Sequence, residues 1–126
     1  MTRTASTLSS VKLASYRKAL HARKSVKKGV PARLTQARKV ARKAISILRK
    51  KFEVEKVVLF GSIVKPALFH SRSDVDIAVW GLDESKYFRA VGVLQGIDPA
   101  FSIDLISIET ASPTLQEVIR RDGKAL

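Results

Sequence analysis

Cysteine is absent from the 126 residues. That excludes disulfides and thiolate metal centres as sources of stability or chemistry. With only two histidines and no cysteine, a zinc site lacks ligands. No apolar run approaches membrane-span length, so no membrane association is expected and the expected location is cytoplasmic. No GxxxxGK[ST] pattern follows a strand and no GxSxG elbow occurs, which removes P-loop and α/β-hydrolase chemistry. Acidic residues are missing altogether from the first half. Residues 1–52 carry 16 Lys+Arg and no Asp or Glu, whereas residues 53–126 carry 8 Lys+Arg and 11 Asp+Glu. The halves are therefore +16 and −3 within a formal net charge of +13. Such a division suggests a surface for RNA or another acidic partner, spread over residues 12–51, beside a catalytic portion. A plain set of solvated helix faces fits the basic half equally well.

What is present suits one domain with a modest core. Residues 1–30 read as a basic N-terminal extension. Ser9 or Ser10 is a cap for a helix from Val11 to Lys28 with a narrow stripe of Leu13, Tyr16 and Leu20, and Gly29 and Pro31 end it. An acid-free amphipathic leader of this kind also resembles an organelle transit peptide, though without a cleavage site. The next helix, Pro31 to Lys51, is the clearest in the chain. Leu34, Ala37, Ala41, Ala44, Ile45, Leu48 and Phe52 follow 3–4 spacing, and Arg38, Lys39, Arg42, Lys43, Arg49 and Lys50 take the other side. A strand over Val54–Phe60 follows, then Gly61-Ser62 and a helical turn cut short at Pro66. A second strand spans Asp74–Trp80. Asp83 is placed to cap a helix from Glu84 to Leu94. Strand three covers Phe101–Ile108, and Ser112-Pro113 opens a last helix that stops at Gly123. The expected fold class is α/β (α+β): a short mixed sheet flanked by helices.

The chemistry concentrates between Lys56 and Gly81. Asp74 and Asp76, two apart on a strand, share a face, while Val75, Ile77 and Val79 enter the core on the other. Paired carboxylates on an apolar strand are costly unless a cation neutralises them, and oxygen-bound Mg²⁺ is the economical answer. The Gly61-Ser62 turn offers backbone N–H groups and a hydroxyl for a phosphate. Asp104 alternates in the same way on strand three, so neighbouring strands would bring it to the same face. Taken alone it reads as a surface residue; beside the pair it completes a cluster for two metal ions. The combination describes metal-assisted phosphoryl or nucleotidyl transfer.

LFGS at Leu59–Ser62, SDVDIAV at Ser73–Val79 with eleven residues between Ser62 and Asp74, and SIDLI at Ser102–Ile106 together resemble the DNA polymerase β-type nucleotidyltransferases. The resemblance is to their small stand-alone members, the minimal nucleotidyltransferases, and it covers Pro31 to Leu126, including the ending IRRDGKAL. It implies a polymerase-β-like domain over residues 31–126, with the basic extension outside it. It implies that Gly61, Ser62 and Lys65 hold the nucleotide's phosphates and that Asp74, Asp76 and Asp104 are catalytic and bind Mg²⁺, two ions during catalysis. The implied reaction moves a nucleoside monophosphate, commonly AMP from ATP, onto a hydroxyl. Minimal members often pair with a HEPN ribonuclease toxin, acting as antitoxin by adding AMP to a tyrosine. After Gly-Ser the family usually has x-A-R-G, whereas this chain has Ile63-Val64-Lys65-Pro66. Lys65 keeps the charge but lacks the planar fork of arginine. His70 and Arg72 lie in the same connection, as further phosphate contacts or solvent-facing residues.

Transfer onto RNA or a small molecule is a second enzymatic reading. A different class is a weakly active or non-catalytic module whose basic helices bind RNA or an acidic partner.

Overall fold

The computed structural model describes residues 30–125, and the extension predicted over residues 1–30 lies almost wholly outside them. The long amphipathic helix is Val30–Lys51 (α1). Every residue of the predicted stripe is buried, and Val40 joins it. Three buried alanines, Ala37, Ala41 and Ala44, let the helix sit close on the sheet, and Leu48 one turn after them is fully enclosed.

After α1 the chain turns at Glu53, whose backbone is left-handed (φ 52°). The Val54 N–H donates to the Leu48 carbonyl and closes the helix end. Strand β1 therefore begins at Lys56, two residues later than predicted, and runs to Phe60. Gly61–Val64 forms a 3₁₀ turn. Pro66 opens a second one, Pro66–Leu68, rather than simply ending the first. Strand β2 is Val75–Trp80. Asp83 caps as predicted, its carboxylate accepting from Ser85 N–H at 2.9 Å. It caps a short 3₁₀ turn, however, and the helix proper is Tyr87–Gln95 (α2). Strand β3 is Ile103–Ser107, shorter than expected because the Phe101 N–H bonds back to Asp98 and Ile108 starts another 3₁₀ turn. Pro113–Asp122 (α3) opens on Ser112, whose hydroxyl accepts from Leu115 N–H at 3.2 Å.

The sheet has the order β1-β2-β3, antiparallel then parallel. One face buries Val57, Leu59, Val75, Ile77, Val79, Ile103 and Leu105 under α1 and α2. The other buries Val58, Phe60, Ala78 and Ile106 under Leu115 and Ile119 of α3. Both outer edges are partly covered. Lys124 exchanges N–H and carbonyl with Leu59 at 2.8 Å on the β1 side. On the β3 side, side chains of α2 do the same work: Tyr87 donates its hydroxyl to the Leu105 carbonyl at 2.6 Å, and Gln95 donates to the Ile103 carbonyl at 2.5 Å. A sheet so capped has few free backbone groups to recruit another strand. None of the described helices is long and apolar enough to cross a membrane.

Candidate active site

Strand register assembles the site. Asp76 is paired with Phe60 on β1 and with Asp104 on β3, so all three side chains stand in one row on the α3 face. Asp74 lies two residues before Asp76 and joins that face from the strand's entrance. The three carboxylates each offer one oxygen, and these atoms lie within 4.8 Å of one another. Asp76 is buried, at 4% exposure, and Asp74 and Asp104 are half-buried.

Three negative charges at this spacing repel by about 3–4 kcal/mol per pair at an effective dielectric of about 20. Oxygens sharing a hard divalent cation at about 2.0–2.6 Å must themselves lie within about 4–5 Å of each other, which this donor set satisfies. The neighbouring backbone is shaped to the same end. Gly61 has φ +77°, and a Cβ placed there would stand 2.1 Å from Oδ2 of Asp76. Only glycine leaves this carboxylate its position and also accepts the left-handed turn. The residues present fit a divalent metal held by oxygen.

Ser62 is buried in the 3₁₀ turn directly after Gly61. Lys65 ends that turn, its N–H donating to the Ser62 carbonyl at 3.0 Å. Its ammonium lies 3.5 Å from Asp122 at the end of α3, a carboxylate 8% exposed that Arg121 also pairs. The family resemblance implies a phosphate contact for Lys65, and the structure sets its ammonium beside an acidic residue. His70 and Arg72 form a local turn, with His70 Nδ1 accepting from Arg72 N–H at 3.2 Å. Its own N–H donates to Ser73 Oγ at 2.9 Å, which stiffens the approach to Asp74.

Two residues near the site carry no signal in the sequence. Tyr87 reaches β3 beside Asp104; burial, and then the Asp104 charge, push its phenol above the ordinary value of 10.0. Arg33, in the first turn of α1, lies 4.2 Å from the ring centre of Phe101 and donates to the carbonyls of Ala100 and Ser73.

Comparison with known proteins agrees with this geometry. No curated protein sequence matches the chain. A chain of a toxin–antitoxin complex solved with AMP-PNP matches at a TM-score of 0.54 and 26% identity, over 65% of this chain and 68% of that one. A MntA–HepT toxin–antitoxin structure gives 0.53 and 25%, over 69% and 68%. The complex of a tri-AMPylated HEPN toxin from Shewanella oneidensis with MNT antitoxin gives 0.53 and 25%, over 70% and 69%. The family model for polymerase beta nucleotidyltransferases matches residues 42–126, from the middle of α1 through all three strands and α3. With its acidic row, its Gly-Ser turn and two thirds of its length within that match, the chain belongs to the polymerase β-type nucleotidyltransferase family.

Proposed function

We propose that this protein transfers AMP from ATP to a hydroxyl of a HEPN-type toxin and acts as its antitoxin. The observation that carries the reading is the row of Asp74, Asp76 and Asp104 set beside Gly61. The structural relatives, crystallised as toxin–antitoxin pairs, one with AMP-PNP and one with an AMP-modified HEPN toxin, support the choice of donor and acceptor.

In the proposed reaction the acceptor oxygen attacks the α-phosphorus. The bond from that phosphorus to the bridging oxygen of the β-phosphate breaks, and pyrophosphate leaves. Asp74 and Asp76 would hold Mg²⁺, with Asp104 completing the site. When bound, Mg²⁺ supplies Lewis-acid neutralisation of the phosphates and of the attacking oxygen. Asp104, half-buried, would receive the hydroxyl proton directly or through a water. Gly61 and Ser62 bring N–H groups and a hydroxyl to the phosphates, and Lys65 adds a point charge positioned by Asp122. Residues 31–126 form the transferase domain in this reading, and residues 1–30 a basic extension to it.

A second reading rests on a separate observation. Lys39, Arg42, Lys43, Arg49, Lys50 and Lys51 are exposed along α1, on the side of the sheet away from the carboxylates. This ridge is free to bind RNA or an acidic partner whether or not the site turns over. The test of the first reading is incubation with ATP, Mg²⁺ and the HEPN partner, read by intact mass. Stepwise AMP additions to the partner, absent with an Asp74→Asn, Asp76→Asn double variant, are expected. An unmodified partner that is nonetheless neutralised by both proteins would favour the non-catalytic reading.

A further inference from the structure

Arg33 occupies a position that helix stability alone does not favour. It is the fourth residue of α1, at the positive end of the helix dipole, where anions rather than cations are stabilised. Its Nε is buried and donates no hydrogen bond, which adds a desolvation cost. What the guanidinium does contact lies across two loops. One terminal nitrogen is 3.2 Å from the Ala100 carbonyl and 3.5 Å from the Ser73 carbonyl, and the plane rests 4.2 Å from the Phe101 ring centre.

These two loops lead into the two strands that carry the carboxylates. Ser73 immediately precedes Asp74, and it is itself locked by His70 from both its N–H and its hydroxyl. Ala100 and Phe101 precede Ser102, whose carbonyl accepts from Val75 N–H at 3.0 Å. The 98–101 turn is further held by Asp98, which caps Ala100 N–H at 2.9 Å and receives Gln36 of α1 at 3.4 Å. Arg33 thus touches the entrances of β2 and β3 at the same time. The Val75–Ser102 bond and the β2–β3 pairing tie the strands together within the sheet, and Arg33 adds a brace from α1 at the point where Asp74 precedes that pairing.

We propose that Arg33 is a positioning residue of the active site: by bracing the Ser73 and Ala100 carbonyls from α1 it sets the gap between Asp74 and Asp104 to that of a divalent cation. The proposal rests on the metal-site reading given above. It acts through backbone, so Arg33 need not touch nucleotide or metal.

The test is direct binding of Mn²⁺ to the full-length chain, followed by the electron paramagnetic resonance of the free ion, with thermal unfolding run in parallel. Saturable binding by the wild type, lost in the Asp74→Asn, Asp76→Asn variant, is expected. Arg33→Gln is expected to weaken the affinity by about tenfold, the scale on which residues supporting metal ligands act. Arg33→Lys, which keeps the charge and a donor but loses the planar group that rests on Phe101, is expected to fold and to weaken binding to a lesser degree. Val40→Ala, a cavity elsewhere in α1, supplies a matched loss of stability and is expected to leave Mn²⁺ affinity unchanged. Wild-type affinity in both Arg33 variants overturns the proposal while leaving the metal site standing. Equal weakening by Val40→Ala also overturns it, since the effect is then general loosening. Failure of the wild type to bind Mn²⁺ overturns the metal-site reading, and the proposal with it.

Discussion

At Gly61 two demands fall on one residue, a left-handed backbone and an empty space beside the Asp76 carboxylate. An alanine there adds about 1–2 kcal/mol of backbone strain, and its methyl group overlaps Oδ2 of Asp76. Gly61→Ala is therefore expected to lower the unfolding midpoint modestly yet reduce AMP transfer to near background; a variant as active as wild type would show that the Asp76 position is not critical. The carboxylates themselves were legible in the sequence, because alternation along a strand determines which side chains share a face. Asp104 needed more, since its membership depends on which strands are neighbours. The parallel pairing of β2 with β3 puts it directly beside Asp76. Arg33, Tyr87 and Asp122 were not legible as site neighbours. Their partners lie 67, 18 and 57 positions away in the chain, at Ala100, Leu105 and Lys65, and no local pattern encodes such contacts.

Among elements, the ends rather than the identities departed from expectation. The helix period in α1 and the strand alternation in β2 are set by burial and survive any local accident. β1 starts later than its pattern suggests because Glu53 takes a left-handed turn that normally announces itself with glycine. Edge protection was likewise hidden, since it uses side chains of α2 and the C-terminal segment instead of features of the strands. Tyr87 is its most testable part. Tyr87→Phe leaves the Leu105 carbonyl without its donor and is expected to cost about 1–3 kcal/mol. The pH dependence follows from the raised pKa of the phenol. Folded protein then retains this proton more strongly than unfolded chain, so the contribution of Tyr87 is complete below pH 10 and declines as pH rises through the higher folded value. Denaturant unfolding between pH 8 and pH 11 should show the gap between wild type and variant narrowing only above about pH 10. A gap that stays constant would mean that the phenol is not perturbed in this way.

Across the whole molecule, the charge division seen in the sequence becomes a division between two sides of the sheet. The carboxylates occupy the α3 face, and the described cations of the basic half, Arg33 apart, line the outside of α1. In the proposed reaction, repulsion between the acidic site and the triphosphate would be left for a metal and Lys65 to relieve, while the exposed side of α1 faces elsewhere. The family assignment accounts for the sheet and site from residue 42 onward. It does not account for the cations preceding it.

The measurement that bears most directly on the central claim is the fate of the two ends of ATP. The protein, Mg²⁺ and the proposed HEPN-type partner would be incubated with ATP labelled at either the α- or the γ-phosphate. Nucleotidyl transfer by the Asp74, Asp76 and Asp104 site predicts label on the partner from α-labelled ATP alone, with the γ-label released as pyrophosphate, and neither event in the Asp74→Asn, Asp76→Asn variant. Label arriving from the γ-phosphate, or α-label transfer that persists in the variant, would contradict it.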